Sequence, residues 1–361
     1  MNKRFFLIPL LFVAIGFWFS SCSTEFNPND EWEETMLVYG ILDQDSDTTW
    51  IRVQKCFLGE GNAYNYAQIM DSSNYDPDEL EVKIVEWYAE KKNVIALGGT
   101  GVVSNQTMNN LTNIKKDKEI VFKYTELTTK PSGDFYSPTQ PIYCARTKGK
   151  LYPERIYVLE IRNLKTGKFV TSETALIGDG IMVKHPVNFF QFKDGNASNR
   201  SALVKWSIDY EKRARVFQPM VRFFYYEQTP ADDSMMVKYV DIEGNVYRNT
   251  NNSSVMQGSF SRTTFGAELK NKLGQPGEGV LRAVADSVHI YIFAANEDIA
   301  TYMAASIPPN TIAQERPTYG NIEGGLGIFG SRRTKIKERR STPTSANNEY
   351  KTFLKNLDIG F

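Results

Sequence analysis

Gly325-Leu-Gly327-Ile-Phe-Gly330 has the glycine spacing that lets backbone approach a dinucleotide pyrophosphate at the start of a helix. The surroundings exclude that chemistry. Only 31 residues follow Gly330, too few for a further βαβ unit, and the next segment is charged rather than amphipathic. The motif is expected to form a bend beside a closing strand. Asp43, Asp45 and Asp47 alternate as calcium ligands do, but Thr48 and Gln54 stand where an EF-hand loop needs Gly and Glu. An acidic turn is expected there, and no metal site is assigned. A histidine-based triad has only His185 and His289 to draw on, and neither G-x-S-x-G nor H-E-x-x-H occurs. The 42 acidic residues offer carboxylate pairs for glycoside chemistry, yet no local pattern selects one. No catalytic residue is assigned, and neither enzymatic activity nor a cofactor is expected.

The remaining reactive side chains are three cysteines. Cys22 ends a leader: Lys3 and Arg4 precede an uncharged, mostly apolar run from Phe5 to Phe19, too short for a membrane span and suited to a signal peptide. Ser20-Ser21-Cys22 resembles the bacterial lipobox, with Phe19 where the pattern prefers Leu, which implies a signal peptide over 1–21 and lipidation of Cys22. Two or more acyl chains hold a protein stably on a membrane. The polar, acidic stretch that follows reads as a tether over 22–35, able to span roughly 45 Å if extended. Its Glu25, Asp30, Glu31, Glu33 and Glu34 resemble the surface-export signal of Bacteroidetes lipoproteins. A solvated linker explains them equally. Cys56 and Cys144 fit either a disulfide, in an oxidising compartment, or two buried thiols.

These residues must be positioned by strands. Met36 to Leu42 and Trp50 to Phe57 flank Asp43-Gln-Asp-Ser-Asp47 as a hairpin, with Ile51 and Val53 on one face and Trp50 and Arg52 on the other. Further strands are expected at Leu80 to Ala89, Asn93 to Leu97, Gly101 to Ser104, Arg155 to Arg162 (Tyr157, Leu159 and Ile161 on one face) and Lys168 to Leu176. A domain boundary is placed near 178–188. Beyond it come Leu203 to Tyr210, Val216 to Glu227, a hairpin Met235 to Asp241 with Asn245 to Arg248 about Glu243-Gly244, and a buried strand Val288 to Ala294. Two helices are expected: Thr263 to Leu273, stopped by Gly274, and Asn296 to Ser306, stopped by Pro308-Pro309. Ser331 to Ser341 carries six basic residues and one acidic. It reads as a solvated strand or tail, or as a contact for anionic lipid or an acidic partner.

Basic and acidic residues balance at 42 each, which argues against a nucleic-acid partner. Cys22, Met36-Leu-Val-Tyr-Gly-Ile-Leu42, Tyr157-Val-Leu-Glu-Ile-Arg with Val170-Thr-Ser-Glu-Thr, Arg222-Phe-Phe-Tyr-Tyr-Glu227 and Asn321-Ile-Glu-Gly-Gly-Leu-Gly-Ile-Phe-Gly330 together resemble an uncharacterised family of Bacteroidetes lipoproteins. Its members are often encoded beside TonB-dependent outer-membrane transporters. The resemblance implies a lipid-anchored accessory or binding protein of the outer membrane, on its cell-surface or periplasmic face, serving such a transporter in nutrient or glycan uptake. The alternative is a structural or pilus-like surface lipoprotein that assembles by strand exchange. The expected fold is mainly β: an immunoglobulin- or transthyretin-like sandwich over 36–180 and a larger β domain with two short helices over 181–361. Tyr64, Tyr66 and Tyr75, in a Gly/Asn/Ser-rich loop, are the candidate ligand contacts. Asp47-Thr48-Thr49 and Asp233-Ser234-Met235 resemble a Bacteroidetes O-glycosylation signal, which nominates Thr48 and Ser234.

Overall fold

A computed structural model describes residues 34–56, 62–88, 115–128, 133, 136, 139–153, 155–192, 200–208, 213–232, 234–307, 318–340 and 352–361. The expected leader, Cys22, residues 22–33 of the tether and the strands at 93–97 and 101–104 lie outside the described residues. The fold is mainly β. In chain order the first half holds β1 (Met36–Leu42), β2 (Thr48–Lys55), α1 (Ala63–Ala67), α2 (Met70–Ser73), β3 (Leu80–Tyr88), β4 (Lys115–Leu127), β5 (Gln140–Arg146), β6 (Ile156–Asn163) and β7 (Phe169–Ala175). The second half holds β8 (Ile181–His185), β9 (Ser201–Ile208), β10 (Val216–Gln228), β11 (Met236–Glu243), β12 (Tyr247–Arg248), β13 (Val255–Ser261), α3 (Arg262–Leu273), β14 (Leu281–Ala295), α4 (Glu297–Ser306) and β15 (Leu326–Arg340).

Hydrophobic alternation explains the strands. In β2, Ile51 and Val53 are buried while Trp50 faces out. In β6, Tyr157, Leu159 and Ile161 point into one core, and Ile156 and Val158 into a smaller cluster with Ala175 and Trp87 on the other side. Both helices stand where the side-chain spacing predicts them. Ser261 caps α3 by accepting from the Thr264 amide, and Gly274 ends it at positive φ. Asn296 caps α4.

One sheet runs in the order β11-β10-β14-β15-β1-β2-β5-β4-β3-β6-β7, with β12 also on β10. A second sheet, β13-β9-β8, stands apart from that path. Trp206, Val204 and Phe260 from the second sheet share a core with Phe217, Val221, Phe223 and Ile290 of the first and with Phe265 and Leu269 of α3. The other large core is built from β1 to β7 and closed by Ile322 and Phe329. An antiparallel bridge between Thr171 and Glu323 brings β7 back to the segment that leads into β15.

β15 joins the two regions. Its first six residues pair with β1 in the one parallel pairing among the described strands, Leu37 opposite Leu326 through Leu42 opposite Ser331. From Arg332 on it pairs antiparallel with β14. Gly327 sits at the parallel seam with φ +109°, and a Cβ there would lie 1.9 Å from the Val38 carbonyl oxygen. The glycine motif is therefore a close approach of backbone to backbone, and Gly327 and Gly330 lie within the strand rather than in the expected bend beside it. The expected hairpin about Glu243-Gly244 does not form. β11 and β12 both pair with β10, because the Gly244 amide donates to the Pro219 carbonyl at 2.8 Å and keeps the chain along the same edge.

Candidate cleft on the outer face of strands β2, β5 and β4

Trp50 of β2, Cys144 of β5 and Lys123 of β4 form one transverse row, since Trp50 pairs with Cys144 and Cys144 with Lys123. Side chains in such a row stand about 5 Å apart. Above the row lies a cleft of about 850 Å³, lined also by Thr48, Lys118, Glu119, Val121, Arg146, Lys150 and Tyr152. Trp50 is 42% exposed and Tyr152 43%, so two flat rings are presented to solvent. The turn after β5 returns the chain past the cleft. Lys150 donates its amide to the Thr147 carbonyl at 2.9 Å, and Gly149 adopts φ +73° with open space around it. Glycine is needed there for its backbone freedom rather than for room. At the rim, Lys148 and Asp47 pair at 2.6 Å and tie this turn to the β1–β2 turn. The Asp47 carboxyl is held below its ordinary range by that hydrogen bond and charge.

The cations of the cleft outnumber the carboxylates near them among the described residues, where Arg146 acts on Asp47. Lys118, Lys123, Arg146 and Lys150 are all exposed, and none forms an ion pair among the described residues. Among the described residues the lining carboxylate is Glu119, which leans to Lys83 at 3.6 Å. Lys118 stands over the Tyr152 ring at 5.8 Å. Reading the sequence for motifs missed this site. Its signal is the alternating lysines in Lys115-Lys-Asp-Lys-Glu119 through Lys123 together with Arg146-Thr-Lys-Gly-Lys150, two basic runs made adjacent by strand pairing.

The residues nominated from sequence fare differently. Tyr75 is 2% exposed; it is a core residue and not a ligand contact, a correction that follows from its hydroxyl donating to Glu34 at 3.2 Å inside the fold. Burial, then the Glu34 charge, pushes its hydroxyl well above the ordinary tyrosine range. Tyr64 on α1 is 63% exposed and Tyr66 half-buried, away from the cleft. Cys56 and Cys144 are free thiols, so the bridge considered from sequence is not formed. Cys144 sits opposite Trp50, six residues along the chain from Cys56. At strand rise that is about 20 Å, beyond the reach of a disulfide. Burial raises the Cys56 thiol. Thr48 is half-buried at the cleft edge and Ser234 is exposed.

The acidic turn and the basic run neutralise each other. Arg332 meets Asp43 at 3.1 Å, and Arg333, only 3% exposed, meets Asp45 at 3.3 Å and Asp179 at 2.6 Å. Lys335 also pairs with Asp179. The first half of the run is thus a strand whose cations Arg332, Arg333 and Lys335 face the chain's own carboxylates, while Arg339 donates to the Pro186 carbonyl at 2.7 Å. His289 lies over Phe224 with ring centroids 4.6 Å apart and 3.8 Å from Glu338. His185 precedes Pro186 at the end of β8. The two histidines sit in different sheets.

Two buried polar clusters lie outside the cleft. Glu34 accepts from Asn163 Nδ2 at 2.7 Å, from the Tyr75 hydroxyl, and from Thr166 Oγ1 at 2.5 Å. This seats the first described residue. Elsewhere Glu173 of β7, Asp298 of α4 and Glu323 come together. Burial first, then the charges of Asp298 and Glu323, push Glu173 up to about 7. Neither Glu173 carboxyl oxygen has a hydrogen-bond partner among the described residues. Burial also raises Asp298, against bonds from the Tyr319 hydroxyl at 2.7 Å and Asn296 Nδ2 at 3.0 Å. Among the described residues no group of three or more His, Cys, Asp or Glu side chains is placed to hold a metal ion, and no helix is long and apolar enough to cross a membrane.

Compared with protein-family models and with curated proteins, the chain finds no match.

Proposed function

We propose that the protein is a lipid-anchored outer-membrane accessory, tethered through Cys22, that binds a nutrient or glycan in the cleft of β2, β4 and β5 and hands it to a TonB-dependent transporter. The observation that carries the binding part is the pair of exposed rings, Trp50 and Tyr152, in a concave site of ligand size. Aromatic side chains left at a surface give large contact area at low entropic cost. The anchor, the outer-membrane address and the transporter rest on the leader and on the family resemblance. The division into two sandwich-like domains belongs to the same proposal and is supported by the two separate cores.

A second reading, a structural surface subunit, is favoured by β11. This strand pairs only with β10 among the described residues and leaves Met236, Val237 and Tyr239 more than half exposed. Such an edge is a template for strand addition. Affinity purification of the tagged protein from detergent-solubilised outer membranes, followed by mass spectrometry, separates the two. A stoichiometric TonB-dependent transporter is the expected result. Recovery of the protein alone or with copies of itself overturns the accessory reading.

A further inference from the structure

We infer that the cleft selects a polyanionic glycan, a sugar chain bearing carboxylate or sulfate groups. This names the ligand class of the site above and rests on its reading as a glycan-binding cleft. The chain is neutral overall, with 42 basic and 42 acidic residues. Two exposed lysines show the usual answer to a surface charge: Lys148 at the cleft rim pairs with Asp47, and Lys165 with Asp76, each at 2.6 Å. Lys118, Lys123, Arg146 and Lys150 form no close ion pair among the described residues, Arg146 acting on Asp47 only at longer range, and they converge on one concavity. Four like charges raise one another's energy unless an anion enters between them, and a cleft focuses that field outward.

The rings decide what kind of anion fits. A simple anion needs only donors. Here Trp50 and Tyr152 present flat apolar surface beside the cations, and Lys118 stands over the Tyr152 ring at 5.8 Å. A sugar ring laid on either aromatic face brings its acidic substituent within reach of an ammonium group. The about 850 Å³ of the cleft admits several sugar units rather than one small acid. A flat lipid surface would meet a convex face better than this concave one.

The test titrates the mature protein at about 50 mM salt with polygalacturonate, dextran sulfate and dextran, beside a panel of neutral and acidic glycans and a single-stranded DNA oligonucleotide. The expected result is that polygalacturonate or dextran sulfate binds at least about tenfold more tightly than dextran and weakens steeply as salt rises. The double variant Lys118→Gln/Lys150→Gln should lose about tenfold or more, and Trp50→Ala a comparable amount, each with an unchanged thermal melt because all three side chains are exposed. Neutral glycans binding as tightly as acidic ones would overturn the polyanion inference and leave the glycan-binding reading standing. No binding to any member of the panel would overturn both. DNA bound as tightly as polygalacturonate, or full affinity retained in Trp50→Ala, would reduce the site to a plain electrostatic patch and overturn the inference.

Discussion

The outer face of β10, β11 and β14 is built from the same ingredients as the cleft, arranged to the opposite end. There Arg222 lies 3.9 Å from the Tyr239 ring centroid and 5.0 Å from that of Tyr291, and it donates twice to Asp241, at 2.7 and 2.8 Å. The hydrogen bond to Asp241 raises the guanidinium above its ordinary value. The charge of that cation is answered within the fold. In the cleft, Lys118 stands over Tyr152 at 5.8 Å, and among the described residues no carboxylate completes the contact. A cation between rings with its acid beside it is a structural clamp. The same pair without the acid is a site waiting for one.

The largest effect should come from the strand that both faces depend on. Gly327→Val drives a side chain into the Val38 carbonyl at a positive φ, and the loss should exceed about 4 kcal/mol, the range of severe backbone and packing defects. Cleft binding and the near-ultraviolet signal of the aromatic face should vanish together. A variant that melts like the parent would show that β15 does not couple the two regions. Arg222→Ala comes next. Removing the clamp leaves Asp241 without its partner and should lower stability by about 2 kcal/mol in urea unfolding, while polyanion affinity stays at the parental level. A reversal, affinity lost and stability kept, would abolish the contrast between the faces. Trp50→Ala should do the converse: affinity falls about tenfold, and the unfolding free energy moves by less than about 0.5 kcal/mol.

Glu173 sharpens the comparison from the acidic side, as a buried carboxyl with no cation. Its pKa is raised to about 7 from an ordinary 4.5, so the folded state holds a proton that the unfolded state releases. Its contribution to stability is therefore present below pH 4.5 and is lost as pH rises through about 7. Glu173→Gln should gain on the order of 1 kcal/mol at pH 8, after allowance for partial exposure, and little at pH 4. Equal gains at both values would mean that burial of charge is not the cause. The smallest effect belongs to Lys148→Ala. It breaks a fully exposed pair with Asp47 and should leave the denaturation midpoint where it was.

Local pattern made much of this architecture legible. Ile51 and Val53 alternate with Trp50, Gly274 stops α3, and Met36 to Leu42 reads as a strand, because period and punctuation are properties of neighbouring residues. What escaped depends on partners far along the chain. Nothing near Gly325 announces that β15 pairs parallel with β1, some 290 residues earlier. Tyr75 lies in a polar loop and still reaches the core, because Glu34 and Asn163 supply a buried acceptor network for its hydroxyl. Glu243-Gly244 has the composition of a hairpin turn, yet an amide bond to Pro219 extends the edge instead. The cleft escaped for the same reason. Lys118, Arg146 and Lys150 belong to separate runs that only strand pairing unites.

The seat of Glu34 has a mechanical meaning. A pull on the segment that precedes it enters the molecule where Asn163, Thr166 and Tyr75 hold the carboxylate, and then runs along the axis of β1. That strand is gripped on both sides, by β2 and by β15. The load falls in shear across two ladders at once instead of unzipping one bond at a time. Traction on the chain's leading end should meet its stiffest direction there.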